Sequence, residues 1–269
     1  MIESVFVFIV GSMVGSFLNV VIHRLPLEES VVFPSSHCPK CAKSIAWYDN
    51  IPLVSYLALG ARCRHCRAPI RFRYFMVELV TALFFLVFYM TRGLGVEFFM
   101  LSTLACLLIA ATFIDFQHRI IPDEISLGGI VVGLLFGLAA GVSRAPWSID
   151  LRYFFDSLLG CLAGGGIIWF TGFLFDVVYF KLLKKPPIQG ETESMGGGDV
   201  KLLAMVGAFL GWKIALLTFF IAPFFGASVG LFNILVKKDH TIPYGPFLSL
   251  AALICVFWAQ PILSFFFLR

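Results

Sequence analysis

Charge is scarce in this chain. Asp, Glu, Lys and Arg together make up only 13% of its 269 residues, whereas 59% are hydrophobic. A water-soluble domain of this size cannot bury that much apolar surface, which excludes a soluble globular fold. Period-two alternation is missing from the apolar segments, which excludes a transmembrane barrel. No basic stretch precedes the first apolar run and no small-residue cleavage site follows it, so that run reads as a retained membrane helix and not a cleaved signal. No glycine-rich cofactor fold of the soluble kind is visible. There is also no convincing internal duplication of the sort that transporters carry.

The apolar residues are gathered in blocks long enough to cross a roughly 30 Å hydrocarbon core as helices. Eight candidates cover about residues 4–23, 74–91, 96–115, 124–142, 157–180, 199–211, 213–236 and 245–267. Backbone groups in lipid must be satisfied within the segment, so the fold class is an all-α membrane protein, a polytopic bundle of about eight transmembrane helices. The sixth segment is short for a span and reads as tilted or partly re-entrant, which leaves seven as the other count. Three divisions follow: a first transmembrane helix over 1–23, a polar insert over 24–73, and a transmembrane core over 74–269.

Lys and Arg placement orients the bundle. With the N-terminus outside, 15 basic residues fall inside and 5 outside, and the insert lies on the cytoplasmic face. The net charge of +4 thus reflects topology and contact with lipid headgroups, and nothing in it points to nucleic acid.

The insert contains Cys38-x-x-Cys41, then 21 residues, then Cys63-x-x-Cys66. Two such pairs offer four thiolates at tetrahedral corners, which suits structural zinc and leaves no open position for catalysis. The nearby Lys40, Lys43, Arg62, Arg64 and Arg67 offset the negative charge of such a site. Two disulfides, or reduced thiols without a ligand, are the other readings; a reducing cytoplasm disfavours the first. Cys106, Cys161 and Cys255 lie in apolar runs and read as small core residues.

Ionisable groups at membrane depth are costly, so each is a functional candidate. Asp115 closes the third span, and Asp199 opens the sixth behind Gly196-Gly197-Gly198. The charge-derived topology sets both at similar depth on the cytoplasmic side. Two carboxylates that share one proton can activate water and polarise a scissile carbonyl, which is aspartic protease chemistry. The helix dipole at the start of the sixth span biases Asp199 toward the ionised form. The three glycines let an extended substrate backbone approach. Taken singly, Asp199 also reads as a plain N-cap, and Asp115 as an interfacial charge paired with Arg119. Asp123 and Glu124 read as first-turn acids of the fourth span. Glu78 is a third intramembrane acid, with Arg73 or a cation of the insert as its expected partner, or with a role in a second activity. Gly11-x-x-x-Gly15 reads as a close helix contact, and Asn19 and His23, one turn apart, as interhelical bonds or cofactor contacts.

These pieces resemble the type IV prepilin peptidases. The segment from Asp115 to Ile121-Pro122, the Gly196-Gly197-Gly198-Asp199 run with Lys201 beyond it, the stretch from Gly15-Ser16-Phe17-Leu18-Asn19 to Leu25-Pro26, and the two Cys pairs are similar to that family's motifs, in its order, over nearly the whole chain. The resemblance implies that Asp115 and Asp199 are the catalytic aspartates. It makes Gly196 and Gly198 the motif glycines, Gly197 lying with them along the substrate, and makes Cys38, Cys41, Cys63 and Cys66 the zinc ligands. It implies cleavage of the basic leaders of prepilins and type II secretion pseudopilins at the cytoplasmic face of the bacterial inner membrane, after a Gly. It also implies N-methylation of the new terminal residue with S-adenosylmethionine. Glu28, Glu29 and Asp49 are expected to attract the basic leader. A zinc-bearing membrane scaffold and a proton-coupled transporter are the rival classes.

Overall fold

The computed structural model of the chain describes residues 2–144, 150–183, 195–236 and 243–267. Lys184, Lys185, Lys237, Lys238 and Arg269, which enter the charge asymmetry, lie outside the described residues. Among the described residues the chain is helical and divides into two compact units, Met1–Ile114 and Asp115–Arg269.

In the first unit, α1 (Ile2–Arg24) packs against α3 (Phe72–Arg92). The Tyr89 hydroxyl donates to the Glu3 carboxylate, pairing the start of one helix with the end of the other, so the two run antiparallel. Gly11 and Gly15 make this approach possible. A Cβ at Gly11 would meet Ala82 Cα at 2.9 Å, and one at Gly15 would meet Glu78 Cα at 2.7 Å. The expected small-residue contact is thus present, backbone against backbone. Between these helices the polar insert carries two 3-10 turns, Leu25–Leu27 and Trp47–Asn50, and a short α2 (Val54–Ala58). The unit continues into α4 (Val96–His118).

The second unit takes in the end of α4 from Asp115 onward. It then contains α5 (Asp123–Arg144), α6 (Arg152–Asp176, continued by π turns to Leu182), α7 (Gly197–Leu210), α8 (Trp212–Val236) and α9 (Gly245–Phe267). Each of the eight expected spans coincides with one of these long helices to within a few residues. Six of them are long and apolar enough to cross a membrane, and α9 contributes a shorter apolar stretch, Gly245–Ala259. Only 17% of the apolar window of α8 is buried in protein, and large side chains such as Phe220, Phe224 and Phe232 face outward, as a lipid-facing helix requires.

α7 is the exception. At 14 residues it is too short to span, and Leu202 through Phe209 are all buried. It is a core helix packed against α5, α6, α8 and α9. Its tightest contact is with α6: a Cβ at Gly160 would collide with the Gly207 carbonyl, and one at Gly164 with the Leu203 carbonyl. Gly211, at φ 80°, makes the single-residue link into α8, a backbone angle that L side chains rarely adopt. A Gly160→Val substitution should therefore lower stability by on the order of 1–3 kcal/mol or more, seen as a drop in melting temperature in detergent micelles, whereas the same change at Gly166, which faces open space, should leave the melt nearly unaltered.

Candidate active site and four-cysteine cluster

Asp115 lies in the last turn of α4 and is only 6% exposed. A carboxylate so far removed from water needs a donor. It finds one in the first residue of α9, whose Gly245 N–H donates to Asp115 Oδ2 at 3.1 Å. Arg119 acts on Asp115 through space, and its own amide caps α4 by donating to the Asp115 carbonyl oxygen. The alternative reading of Asp115 as a charge paired with Arg119 thus meets a different bonded partner, a backbone amide.

Asp199 is the third residue of α7, its N–H donating to the Gly196 carbonyl oxygen at 3.1 Å. The two aspartates are near enough for the Asp115 charge to act on Asp199. Asp199 lies in the first turn of α7 and the Asp115 carboxylate accepts from the first amide of α9, so each meets the positive end of a helix.

Ile121 wedges the site together. A Cβ at Gly198 would approach Ile121 Cβ at 3.2 Å, and a Cβ at Gly245 would meet Asp115 Oδ2 at 2.7 Å and Ile121 Cδ1 at 3.1 Å. A side chain at Gly245 would thus have to move the Asp115 carboxylate, and one at Gly198 would press on Ile121. Gly197 faces open space, and Gly196, with extended backbone, would place a Cβ in ordinary contact with the Asp199 carboxylate. Tyr244 completes the cluster. Burial, and then the Asp199 charge, push its hydroxyl up to about 12, so it remains a protonated donor. Tyr244 and Gly245 escaped the sequence reading; the Gly between Tyr244 and Pro246 at a helix start was the available signal.

Lys201, two residues beyond Asp199, pairs with Asp123 at 2.6 Å, joining the first turn of α7 to that of α5. Asp123 is the first residue of α5, as expected of a first-turn acid, and has this partner in addition.

In the first unit the two Cys pairs form matching knuckles. The Cys38 N–H donates to the Lys43 carbonyl oxygen at 2.9 Å and Ala42 N–H to that of Cys38 at 2.9 Å; Cys63 N–H donates to Ala68 at 2.8 Å and Arg67 N–H to Cys63 at 3.0 Å. Ala42 and Arg67 both take positive φ, and the bridges His37–Ser44 and Arg62–Pro69 close the two turns alike. The insert is thus locally duplicated. All four Sγ atoms lie within 4.8 Å of one another, and Cys38 Sγ to Cys66 Sγ is 3.8 Å. Four sulfurs about 2.3 Å from a tetrahedral zinc ion would be about 3.8 Å apart, so the donor set fits. Amides of Cys66 and His65 hold the Cys63 thiol down at about 6, toward the thiolate that a metal needs. Arg64 brackets Asp49, donating from Nε to Oδ2 at 2.7 Å, and this bond holds the Asp49 carboxyl below its usual range. Asp49, expected to attract a basic leader, is thus paired with Arg64.

Glu78 also has a partner other than the one expected. Its Oε2 accepts the Leu53 N–H of the insert at 2.8 Å, where Leu53 has φ 63°. Asn19 Nδ2 donates to the Tyr74 carbonyl oxygen at 3.0 Å, the interhelical bond foreseen for it.

Residues 9–92 match the bacterial peptidase A24 N-terminal domain, and residues 102–231 match the type IV leader peptidase family. A prepilin leader peptidase/N-methyltransferase of Aeromonas hydrophila is 36% identical, the match covering 95% of this chain and 91% of that protein. One of Pseudomonas aeruginosa is 36% identical over 94% of this chain and 90% of its own length. One of Myxococcus xanthus is 39% identical over 86% of this chain, which spans 63% of that relative. No solved structure matches the chain significantly.

The Lys201–Asp123 pair is 38% and 57% exposed at its side chains. A double-mutant cycle on Lys201→Met and Asp123→Asn should give a coupling below about 1 kcal/mol, shrinking as salt rises; a larger, salt-insensitive value would mean that water is excluded there.

Proposed function

The chain belongs to the type IV leader peptidase family, and on that premise we propose that it removes the leaders of prepilins and pseudopilins at the cytoplasmic face of the inner membrane, with Asp115 and Asp199 as the catalytic pair. The observation that carries this reading is the electrostatic contact between two carboxylates drawn from the end of α4 and the start of α7. Like charges so placed disfavour double ionisation, so one proton is shared. The ionised carboxylate takes a proton from water, whose oxygen attacks the carbonyl carbon of the scissile bond. The protonated partner donates to the carbonyl oxygen as the tetrahedral intermediate forms. When the C–N bond breaks, the pair returns a proton to the leaving nitrogen.

The substrate chemistry suits this arrangement. A prepilin carries a basic leader followed by an apolar helix, so its scissile bond lies at the membrane surface. Gly196 and Gly197, exposed and without side chains, leave room for an extended backbone beside Asp199. Tyr244, a protonated donor near Asp199, is placed to bond a polar group of the peptide.

The insert over 24–73 is the zinc-binding module, held by Cys38, Cys41, Cys63 and Cys66, and 74–269 carries the protease core. With four thiolates the ion is structural. The chain also N-methylates the residue that cleavage exposes; S-adenosylmethionine supplies the methyl group.

Asp115→Asn and Asp199→Asn should each lower leader cleavage by about 100-fold or more, read by mass spectrometry of the pilin N-terminus, while zinc content stays at the wild-type level. Full cleavage by either variant would remove the catalytic assignment. Cys38→Ser and Cys63→Ser should lower bound zinc, measured by plasma emission on the purified protein, and lower its melting temperature; unaltered zinc in both would refute the ligand set.

A further inference from the structure

The first unit contains a cavity of about 790 Å³ enclosed by α1, α3 and the insert. Small-molecule sites run roughly 300–1,000 Å³, so it is of ligand size, and neither aspartate of the proposed cleavage pair lines it. Asn19 lines it and is 3% exposed. Its Nδ2 is taken by the Tyr74 carbonyl oxygen, but its Oδ1 is buried with no hydrogen-bond partner. A buried acceptor left unpaired costs about 1–3 kcal/mol, and such an atom on a cavity wall points to a bound donor. The wall also includes the Glu78 carboxylate, the cations Arg71 and Arg73, and the aromatic rings of Tyr56 and Tyr74.

We propose that this cavity binds S-adenosylmethionine, with Asn19 Oδ1 accepting a hydrogen bond from one of its N–H donors. The inference rests on the reading that the chain is a methyltransferase. The chemistry of the molecule matches the wall. Its sulfonium and ammonium groups require a nearby anion, which Glu78 supplies. Its carboxylate requires cations, which Arg71 and Arg73 supply. Its adenine requires flat apolar surface, which the tyrosine rings supply. Asn19 and Glu78 come from the two helices whose contact depends on Gly11 and Gly15, so the close packing of α1 on α3 sets the spacing of the two groups.

The test is equilibrium binding of S-adenosylhomocysteine, the demethylated product, to the full-length protein in nanodiscs, followed by calorimetry. Asn19→Ala and Glu78→Gln should each weaken binding by about tenfold or more. Undiminished binding in both variants would overturn the cavity assignment and leave methylation itself standing. A wild-type protein that neither binds the probe nor methylates a cleaved pilin would overturn both. Asn19→Ala also removes the bond to Tyr74, so a measurement on the wild type accompanies it. Ultraviolet cross-linking of radiolabelled S-adenosylmethionine, mapped by peptide mass spectrometry, should place label within residues 16–78; label confined to residues 96–269 would overturn the proposal.

Discussion

A carboxylate at membrane depth is tolerable only when a fixed donor replaces the water it has lost. For Asp115 that donor is the first amide of α9, 130 residues further along the chain. The contact constrains everything around it. A Cβ at residue 245 would meet Asp115 Oδ2 at 2.7 Å and Ile121 Cδ1 at 3.1 Å, so a side chain there would have to displace the carboxylate. Ile121 in turn presses on Gly198, which sets the approach of the first turn of α7 and with it Asp199. Tyr244, Gly245, Ile121, Gly198 and the two aspartates thus form one connected arrangement, closest where Gly245 meets Asp115.

The same unit shows how a helix too short to span is accommodated. Lipid cannot satisfy the backbone groups at the ends of a 14-residue helix, whereas a sheath of protein can exclude lipid from them. α7 has that sheath in α5, α6, α8 and α9. Without a hydrophobic driving force between helices in lipid, close backbone contact supplies the cohesion. Gly160, Gly164 and Gly207 bring α6 and α7 to that distance. Asp199 therefore sits in the first turn of a helix held on all sides by protein, while Gly196 and Gly197 remain exposed.

The first unit applies the same economy of donors to a different end. Glu78 is met by a backbone amide of the insert, and Arg24, also buried, donates to the carbonyl oxygens of Ser30 and Pro34 at 3.0 and 2.7 Å. These contacts anchor the polar insert onto its two flanking helices. The paired knuckles then gather the four thiols within 4.8 Å of one another. Anchored insert and packed helices together line the cavity, on whose wall Asn19 Oδ1 is buried without a hydrogen-bond partner.

Local features of the chain already determined a good deal. Hydropathy located seven long helices and the short α7, Cys spacing located the cluster, and the scarcity of charge at membrane depth marked Asp115, Asp199 and Glu78. Each of these is a property of neighbouring residues, since burial in lipid, knuckle formation and desolvation act on short stretches. Tertiary structure alone decided which groups answer them. Gly245 in place of Arg119 for Asp115, Leu53 in place of a cation for Glu78, Tyr244 beside Asp199, and the enclosure of α7 all depend on segments far apart in sequence. A backbone amide carries no side-chain signature, so a carboxylate whose partner is the main chain shows nothing of that partner until the fold brings the two together.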